Sequence, residues 1–95
     1  MIVARWQGKT IAKSDKTIVV EGNHYFPPED VDQAVFVRSE HQTTCPWKGK
    51  ASYKHITVEG DVNANAAWFY PEPSEAAKEI KGYFAFWKGV EITEE

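Results

Sequence analysis

ASYKHITVEGDVNANAAWFY, residues 51–70, has the pattern of two strands joined by a tight turn. Ala51–Val58 is rich in β-branched and aromatic residues, and it predicts a strand whose side chains alternate between two faces. Glu59-Gly60-Asp61 has the composition of a hairpin turn, and Ala66–Tyr70 predicts the partner strand. The chain is therefore expected to be built around an antiparallel hairpin.

Short strands are also predicted on both sides of this hairpin. The predicted strands are Ile2–Gln7, Thr10–Ser14, Thr17–Glu21, Tyr25–Phe26, Ala34–Ser39, Tyr83–Trp87 and Val90–Ile92. Pro28–Asp32 predicts one helical turn, and Ser74–Gly82 predicts a helix between a Ser N-cap and a C-terminal glycine. Glu40–Lys50 is interpreted as a polar connection. The expected fold is mostly β, a sandwich of bent sheets or a partly open barrel, with one short helix near the C-terminus.

Length and composition restrict the class of protein. Ninety-five residues predict a single domain, 1–95, and a net charge of −3 argues against a nucleic-acid partner. The single cysteine cannot form an internal disulfide, so no oxidising compartment is needed. No run of about 18 apolar residues predicts a membrane span. The first residues lack the pattern of a signal peptide, and we expect a cytoplasmic protein with no membrane partner.

The turn Cys45-Pro46-Trp47-Lys48-Gly49 concentrates reactive and hydrogen-bonding side chains just before the Ala51 strand. Cys45 is a candidate nucleophile if a cation such as Lys48 lowers its pKa, and Lys48 is a candidate for stabilising negative charge. The alternatives are a small buried residue at Cys45 and a solvated lysine at position 48. No second cysteine is present to complete a thiol redox cycle.

Aromatic residues are the second group of candidates. Trp68 and Tyr70 are two residues apart and are expected to share one strand face, with Tyr53 on the paired strand. Together with Trp47 they form either a stacking platform for a planar ligand or a packed core. Glu21 is interpreted as a general base, as a residue that binds a cation, or as an ordinary surface acid.

The three histidines do not have the spacing of a metal site, and neither a metal nor a cofactor is expected. His24 belongs to the Gly22-Asn23-His24 break before Tyr25, His55 stands alone on its strand, and His41 lies within the polar connection.

The chain resembles the small bacterial domain-of-unknown-function family DUF427 over about residues 3–92. The residues that carry the resemblance are Glu21, Tyr25-Phe26-Pro27, Val31, Ser39, Cys45 to Tyr53, Ala67 to Pro73 and Ile80 to Phe86. Tyr25 and Ser39 therefore join the candidates for ligand binding. The resemblance implies a bent antiparallel fold of the Mss4-like β-tent type, similar to methionine sulfoxide reductase B. Relatives with that fold carry zinc on two Cys-x-x-Cys pairs, which a chain with one cysteine cannot supply in that form.

The family is sometimes labelled nucleotidyltransferase-like, but the sequence does not predict that activity. Metal-dependent nucleotidyl transfer needs clustered carboxylates, and here the acidic residues are scattered. No glycine-rich phosphate loop is present.

Three functions are compatible with these patterns. The leading hypothesis is a polar and aromatic pocket beside the Cys45 turn that binds an unidentified small molecule or modified group. The second is a small enzyme with Cys45 as nucleophile, Lys48 as charge stabiliser and Glu21 as base. The third is an interaction protein that forms a homodimer through exposed aromatic residues such as Trp6 and Trp87.

Overall fold

A computed structural model describes residues 1–95 and contains nine strands. The strands are β1 (Ile2–Trp6), β2 (Lys9–Ser14), β3 (Ile18–Val20), β4 (Asn23–Tyr25), β5 (Phe36–Cys45), β6 (Gly49–Val58), β7 (Asp61–Phe69), β8 (Phe84–Phe86) and β9 (Glu91–Glu94). They form three antiparallel sheets with the orders β2-β1-β9, β3-β4 and β5-β6-β7-β8. The predicted mostly β fold is confirmed.

The hairpin of β3 and β4 is attached to the four-stranded sheet through Phe26. The Phe26 amide donates to the Phe84 carbonyl at 2.7 Å, and the Phe84 amide donates back at 2.9 Å. This pair of hydrogen bonds continues the ladder from β4 to the edge of β8. The two sheets therefore meet along Phe26, whose own side chain is fully buried.

The four-stranded sheet has a hydrophobic cluster on each of its faces. Strand alternation sends Ala67 and Phe69 to one face and Trp68 and Tyr70 to the other. The first cluster contains Ala4, Ile11, Ala12, Phe26, Val31, Val35, Ile56, Val58, Ala66, Ala67, Phe84 and Phe86. The second contains Tyr25, Ala51, Tyr70, Ala77, Ile80 and Ala85. The expected shared face of Trp68 and Tyr70 is confirmed, and it is the face of the second cluster.

Two hairpins close with the same two-residue sequence, Glu-Gly. Glu59 and Gly60 have φ values of 50° and 85°, and Glu21 and Gly22 have φ values of 54° and 80°. Two consecutive residues with positive φ are the signature of the type I′ turn, whose twist matches that of the flanking strands. The predicted turn at residues 59–61 is confirmed, and the second turn places Glu21 at the tip of the β3–β4 hairpin.

The predicted helix at Ser74–Gly82 is wrong. Glu75–Ile80 forms 3₁₀ turns interrupted by Ala77, whose φ and ψ of −122° and 19° are not helical. Ser74 makes no side-chain cap, because its hydroxyl donates instead to the Trp47 carbonyl. Two more 3₁₀ turns cover Pro28–Asp30 and Gln33–Val35. None of these segments has the length and apolar composition that a membrane-spanning helix requires.

The interpretation of Glu40–Lys50 as a connection is also wrong, because β5 continues to Cys45 and pairs with β6 to the end. Cys45 lies opposite Gly49, which leaves only Pro46–Lys48 as the loop. Strand β5 forms one edge of its sheet, and most of its side chains are exposed. Its polar composition therefore reflects an edge strand in solvent rather than a loop.

Candidate functional site

An aromatic cleft of about 210 Å³ opens on the face of the four-stranded sheet that carries the second cluster. Its walls come from the β3–β4 hairpin, the loop before β6, strands β6 and β7, and the residues that follow β7 and β8. The lining residues are Asn23, Tyr25, Lys48, Tyr53, Trp68, Tyr70 and Trp87. Five of the seven are aromatic, so the cleft offers ring surface with a few polar groups.

Trp68 lies at the centre of the aromatic contacts. Its ring meets Tyr25 edge to face, with centroids 6.2 Å apart and planes at 89°, and it meets Trp87 in the same way at 6.1 Å and 84°. Its indole Nε1 donates to the Tyr25 hydroxyl at 3.1 Å. Tyr53 lies directly opposite Trp68 on β6. These contacts hold the Trp68 ring in one orientation while it stays half-buried at the cleft.

Lys48 supplies the positive charge of the cleft. Its side chain is only 7% exposed, and its ammonium forms an ion pair with the Glu21 carboxylate. The same Nζ lies 5.1 Å from the Trp47 ring centroid and 5.6 Å from that of Tyr70, within cation–π range. A buried ammonium group needs an opposite charge or a hydrogen-bond acceptor nearby. Glu21 is the only residue that forms an ion pair with Lys48.

The pKa shifts follow from this arrangement. Burial alone would lower the pKa of Lys48, but the bond to Glu21 and the neighbouring Tyr25 and Tyr70 raise it above its ordinary value. The Lys48 ammonium in turn lowers the pKa of Glu21. Burial raises the pKa of Tyr70, against the opposing effect of Lys48. At neutral pH the site therefore holds the charged ion pair of Lys48 and Glu21 beside the neutral phenol of Tyr70.

The loop that carries Lys48 is fixed by the segment that follows β7. The Ser74 amide donates to the Lys48 carbonyl at 2.8 Å, and the Ser74 hydroxyl donates to the Trp47 carbonyl. Gly49 has a φ of +111°, and a Cβ there would lie 3.4 Å from the Ser74 backbone nitrogen. Only glycine allows both this conformation and this close approach.

Gly49→Ala is expected to lower the free energy of unfolding by about 1–3 kcal/mol, because it combines backbone strain with a close contact to the segment that fixes the loop. Chemical denaturation measures the change. Gly8→Ala is the matched control, because Gly8 also has positive φ, +77°, but has nothing within 4 Å of the added Cβ. A Gly49→Ala cost no larger than that of Gly8→Ala would show that the contact with Ser74 does not matter.

The structure brings together most of the residues predicted for the site. Tyr25, Lys48, Tyr53, Trp68 and Tyr70 all line the cleft. Glu21 does not line it, but it reaches the cleft through its ion pair with Lys48.

Besides Glu21, three predicted residues lie outside the lining. Cys45 is a free, half-buried thiol that packs against the second cluster from the end of β5. Trp47 is 42% exposed, and its ring lies near the Lys48 ammonium without lining the cleft. Ser39 makes a different contact, because its hydroxyl bonds to the Asn65 side chain on β7. Neither the thiol nor Ser39 lines the space where a ligand of the cleft would lie.

Sequence reasoning missed two lining residues, Asn23 and Trp87. The sequence suggests a surface contact for Trp87, yet this residue follows β8 and its Nε1 donates to the Asn65 carbonyl at 2.6 Å. Asn23 belongs to the predicted break before Tyr25, but in the structure it opens β4 directly after the Glu21-Gly22 turn. A prediction that β8 pairs with β7 would have placed Trp87 near Trp68. Trp6, the other proposed contact residue, is half-buried against the first cluster.

A second, polar groove of about 520 Å³ lies along β5 and β6, lined by Gln42, Lys50, Ser52, Pro71 and Glu72. No aromatic side chain lines it. No three His, Cys, Asp or Glu side chains converge anywhere in the chain in an arrangement that could hold a metal ion.

Comparison with known proteins identifies the family of the chain. No curated protein matches the sequence. The family model described as a domain of unknown function, DUF427, matches residues 1–95, the whole length of the chain, in agreement with the resemblance seen in the residues from Glu21 to Phe86. The chain belongs to the DUF427 family.

Proposed function

We propose that the protein binds a small planar molecule in the aromatic cleft. The observation that carries the proposal is the convergence of Tyr25, Tyr53, Trp68, Tyr70 and Trp87 on one open space beside a buried lysine. Ligand sites are usually concave and mostly apolar, with a few polar groups that fix orientation. The cleft has that composition, with Lys48 and Asn23 as its polar groups.

The size of the cleft limits the ligand. A volume of about 210 Å³ is below the roughly 300–1,000 Å³ of sites for drug-sized ligands. An apolar cavity of about 150 Å³ is enough for benzene. A single ring with one polar substituent, or a compact two-ring system, therefore fits the space.

The arrangement of the rings favours a flat ligand over a globular one. Tyr25 and Trp87 meet Trp68 by edge contacts, so these neighbours do not cover the Trp68 ring by parallel stacking. Offset stacking of a planar molecule on such a ring contributes beyond the apolar area that it buries. Tyr25 is fully buried, and it holds the Trp68 ring by accepting a hydrogen bond from its Nε1.

The proposal is tested with two neutral amides of similar size, benzamide and cyclohexanecarboxamide, in an NMR amide chemical-shift titration. Benzamide is expected to bind more tightly by about 10-fold, because only the flat ring can stack. The shifted amides are expected to cluster around residues 20–25, 47–53, 68–70 and 85–88. Equal affinity for both amides, shifts spread over β5 and the N-terminal sheet, or no shift at all would refute the proposal.

We also propose that the protein acts in the bacterial cytoplasm as a single domain. The supporting observation is that the only cysteine is free, so the fold depends on no disulfide and is compatible with a reducing compartment. The resemblance to a family of small bacterial proteins supports a bacterial origin.

A further inference from the structure

The Lys48–Glu21 ion pair joins a fixed cation to an exposed anion. Hydrogen bonds with Ser74 fix the loop that carries Lys48, and the Lys48 side chain is 7% exposed. Glu21 lies at the tip of a two-residue turn, and its side chain is 54% exposed. The adjacent Gly22 has nothing within 4 Å of its Cβ position, so the turn is surrounded by solvent. The carboxylate can leave the ammonium without disturbing any packed element.

The ion pair borders the space that the proposed ligand would fill. Lys48 itself lines the cleft, as does Asn23, two residues after Glu21. The ammonium also faces the Tyr70 ring, another lining residue, at 5.6 Å. A ligand stacked on the aromatic walls therefore has the Lys48 ammonium within its immediate surroundings.

We propose that the ligand is a planar aromatic carboxylate, or a molecule with an equivalent anionic group, and that Glu21 occupies the position of that group until the ligand displaces it. This inference rests on the proposed function and specifies its ligand class. Exchange of one carboxylate for another keeps the buried ammonium paired, so the ligand adds its aromatic contacts without leaving a buried charge alone. A planar cation would instead bring a like charge to a buried ammonium.

The test compares benzoate, neutral benzamide and cationic benzylammonium by NMR chemical-shift titration of the wild-type protein and of Glu21→Gln. Wild-type protein is expected to bind benzoate and benzamide with similar affinity, because the exchange of carboxylates leaves the ammonium equally paired, and to bind benzylammonium more weakly than either. Glu21→Gln removes the internal competitor, so its affinity for benzoate is expected to rise by about 10-fold while its affinity for benzamide changes by less than about 3-fold. A second variant, Lys48→Met, is expected to bind benzoate more weakly than wild-type protein does, because the ammonium that pairs with the carboxylate is absent.

Glu59→Gln is the matched control. Glu59 has the same left-handed conformation in the same kind of Glu-Gly turn, and the substitution removes the same charge, but Glu59 forms no ion pair. It is expected to leave all three affinities unchanged.

The outcomes separate the two proposals. If wild-type protein binds benzylammonium as tightly as benzoate, or if Glu21→Gln binds benzoate no more tightly than wild-type protein does, the displacement of Glu21 is wrong while the aromatic cleft remains a binding site. If Glu21→Gln gains equally for benzamide, the substitution has only opened the cleft, and the displacement is again wrong. If none of the three compounds binds to wild-type protein or to Glu21→Gln, both proposals are wrong.

Discussion

Phe26→Ala should lower the free energy of unfolding by about 3–5 kcal/mol, the usual cost of removing a fully buried phenylalanine ring. Phe26 is 0% exposed, and its ring packs edge to face against Phe86 with centroids 5.6 Å apart. The residue also joins the β3–β4 hairpin to β8 through its backbone. Truncation therefore leaves a cavity at the point where two sheets meet, although the packing of Tyr25 in the second cluster still helps to hold the hairpin in place.

The loss is large relative to the roughly 5–15 kcal/mol that stabilise a typical small protein. Chemical denaturation measures it directly, and Phe26→Leu keeps the measurement possible if the alanine variant fails to fold. Phe69→Ala is the matched control, because Phe69 is only half-buried on the same side of the sheet. It is expected to cost clearly less. A Phe26→Ala cost below about 1 kcal/mol would be typical of a surface substitution and would contradict the central position of Phe26.

Structural features that depend only on residues close together in the chain can be predicted from the sequence. Strand alternation alone predicts that Trp68 and Tyr70 share one face, and the Glu-Gly composition locates the turn at Glu59. A local pattern can predict these two features because a strand and its turn are specified within some twenty residues. The pairing of Tyr53 with Trp68 is different, because it depends on an irregularity between Lys54 and Ile56 that shifts the register set by the turn.

Sequence reasoning fails where a contact between distant residues outweighs local preference. Ser74 has the composition of an N-cap, but its hydroxyl and amide are used by the loop at Trp47 and Lys48, and no regular helix follows it. Strand β5 lacks the apolar alternation that identifies a half-buried strand, because its edge position leaves most of its side chains in solvent.

The same limit applies to the site. Lys48 and Glu21 are 27 residues apart, and only the folded arrangement makes them an ion pair. Proximity in sequence suggests Cys45 as the partner of Lys48, whereas the structure pairs this lysine with the tip of another hairpin. Trp87 joins the cleft only through the pairing of β7 with β8. Residue types could be predicted, but their partners could not.

Trp68→Ala should weaken the binding of benzamide by about 10- to 100-fold, because stacking of a planar ring on an aromatic side chain contributes about 1–3 kcal/mol. Trp68 contacts Tyr25 and Trp87 and lies opposite Tyr53, so its removal takes the central surface out of the cleft. It also leaves the Tyr25 hydroxyl without its donor. NMR titration measures the affinity, and circular dichroism checks that the variant is folded.

Two further variants determine what the loss means. Trp68→Phe keeps an aromatic ring but not the Nε1 donor, so it should retain most of the affinity if stacking is the main contribution. Trp6→Ala makes the same truncation at a half-buried tryptophan in the first cluster, on the other side of the sheet, and should leave binding unchanged. An equal loss in Trp6→Ala would trace the effect to general destabilisation. Full affinity in a folded Trp68→Ala would mean that the ligand binds elsewhere, since no other ring contacts both Tyr25 and Trp87.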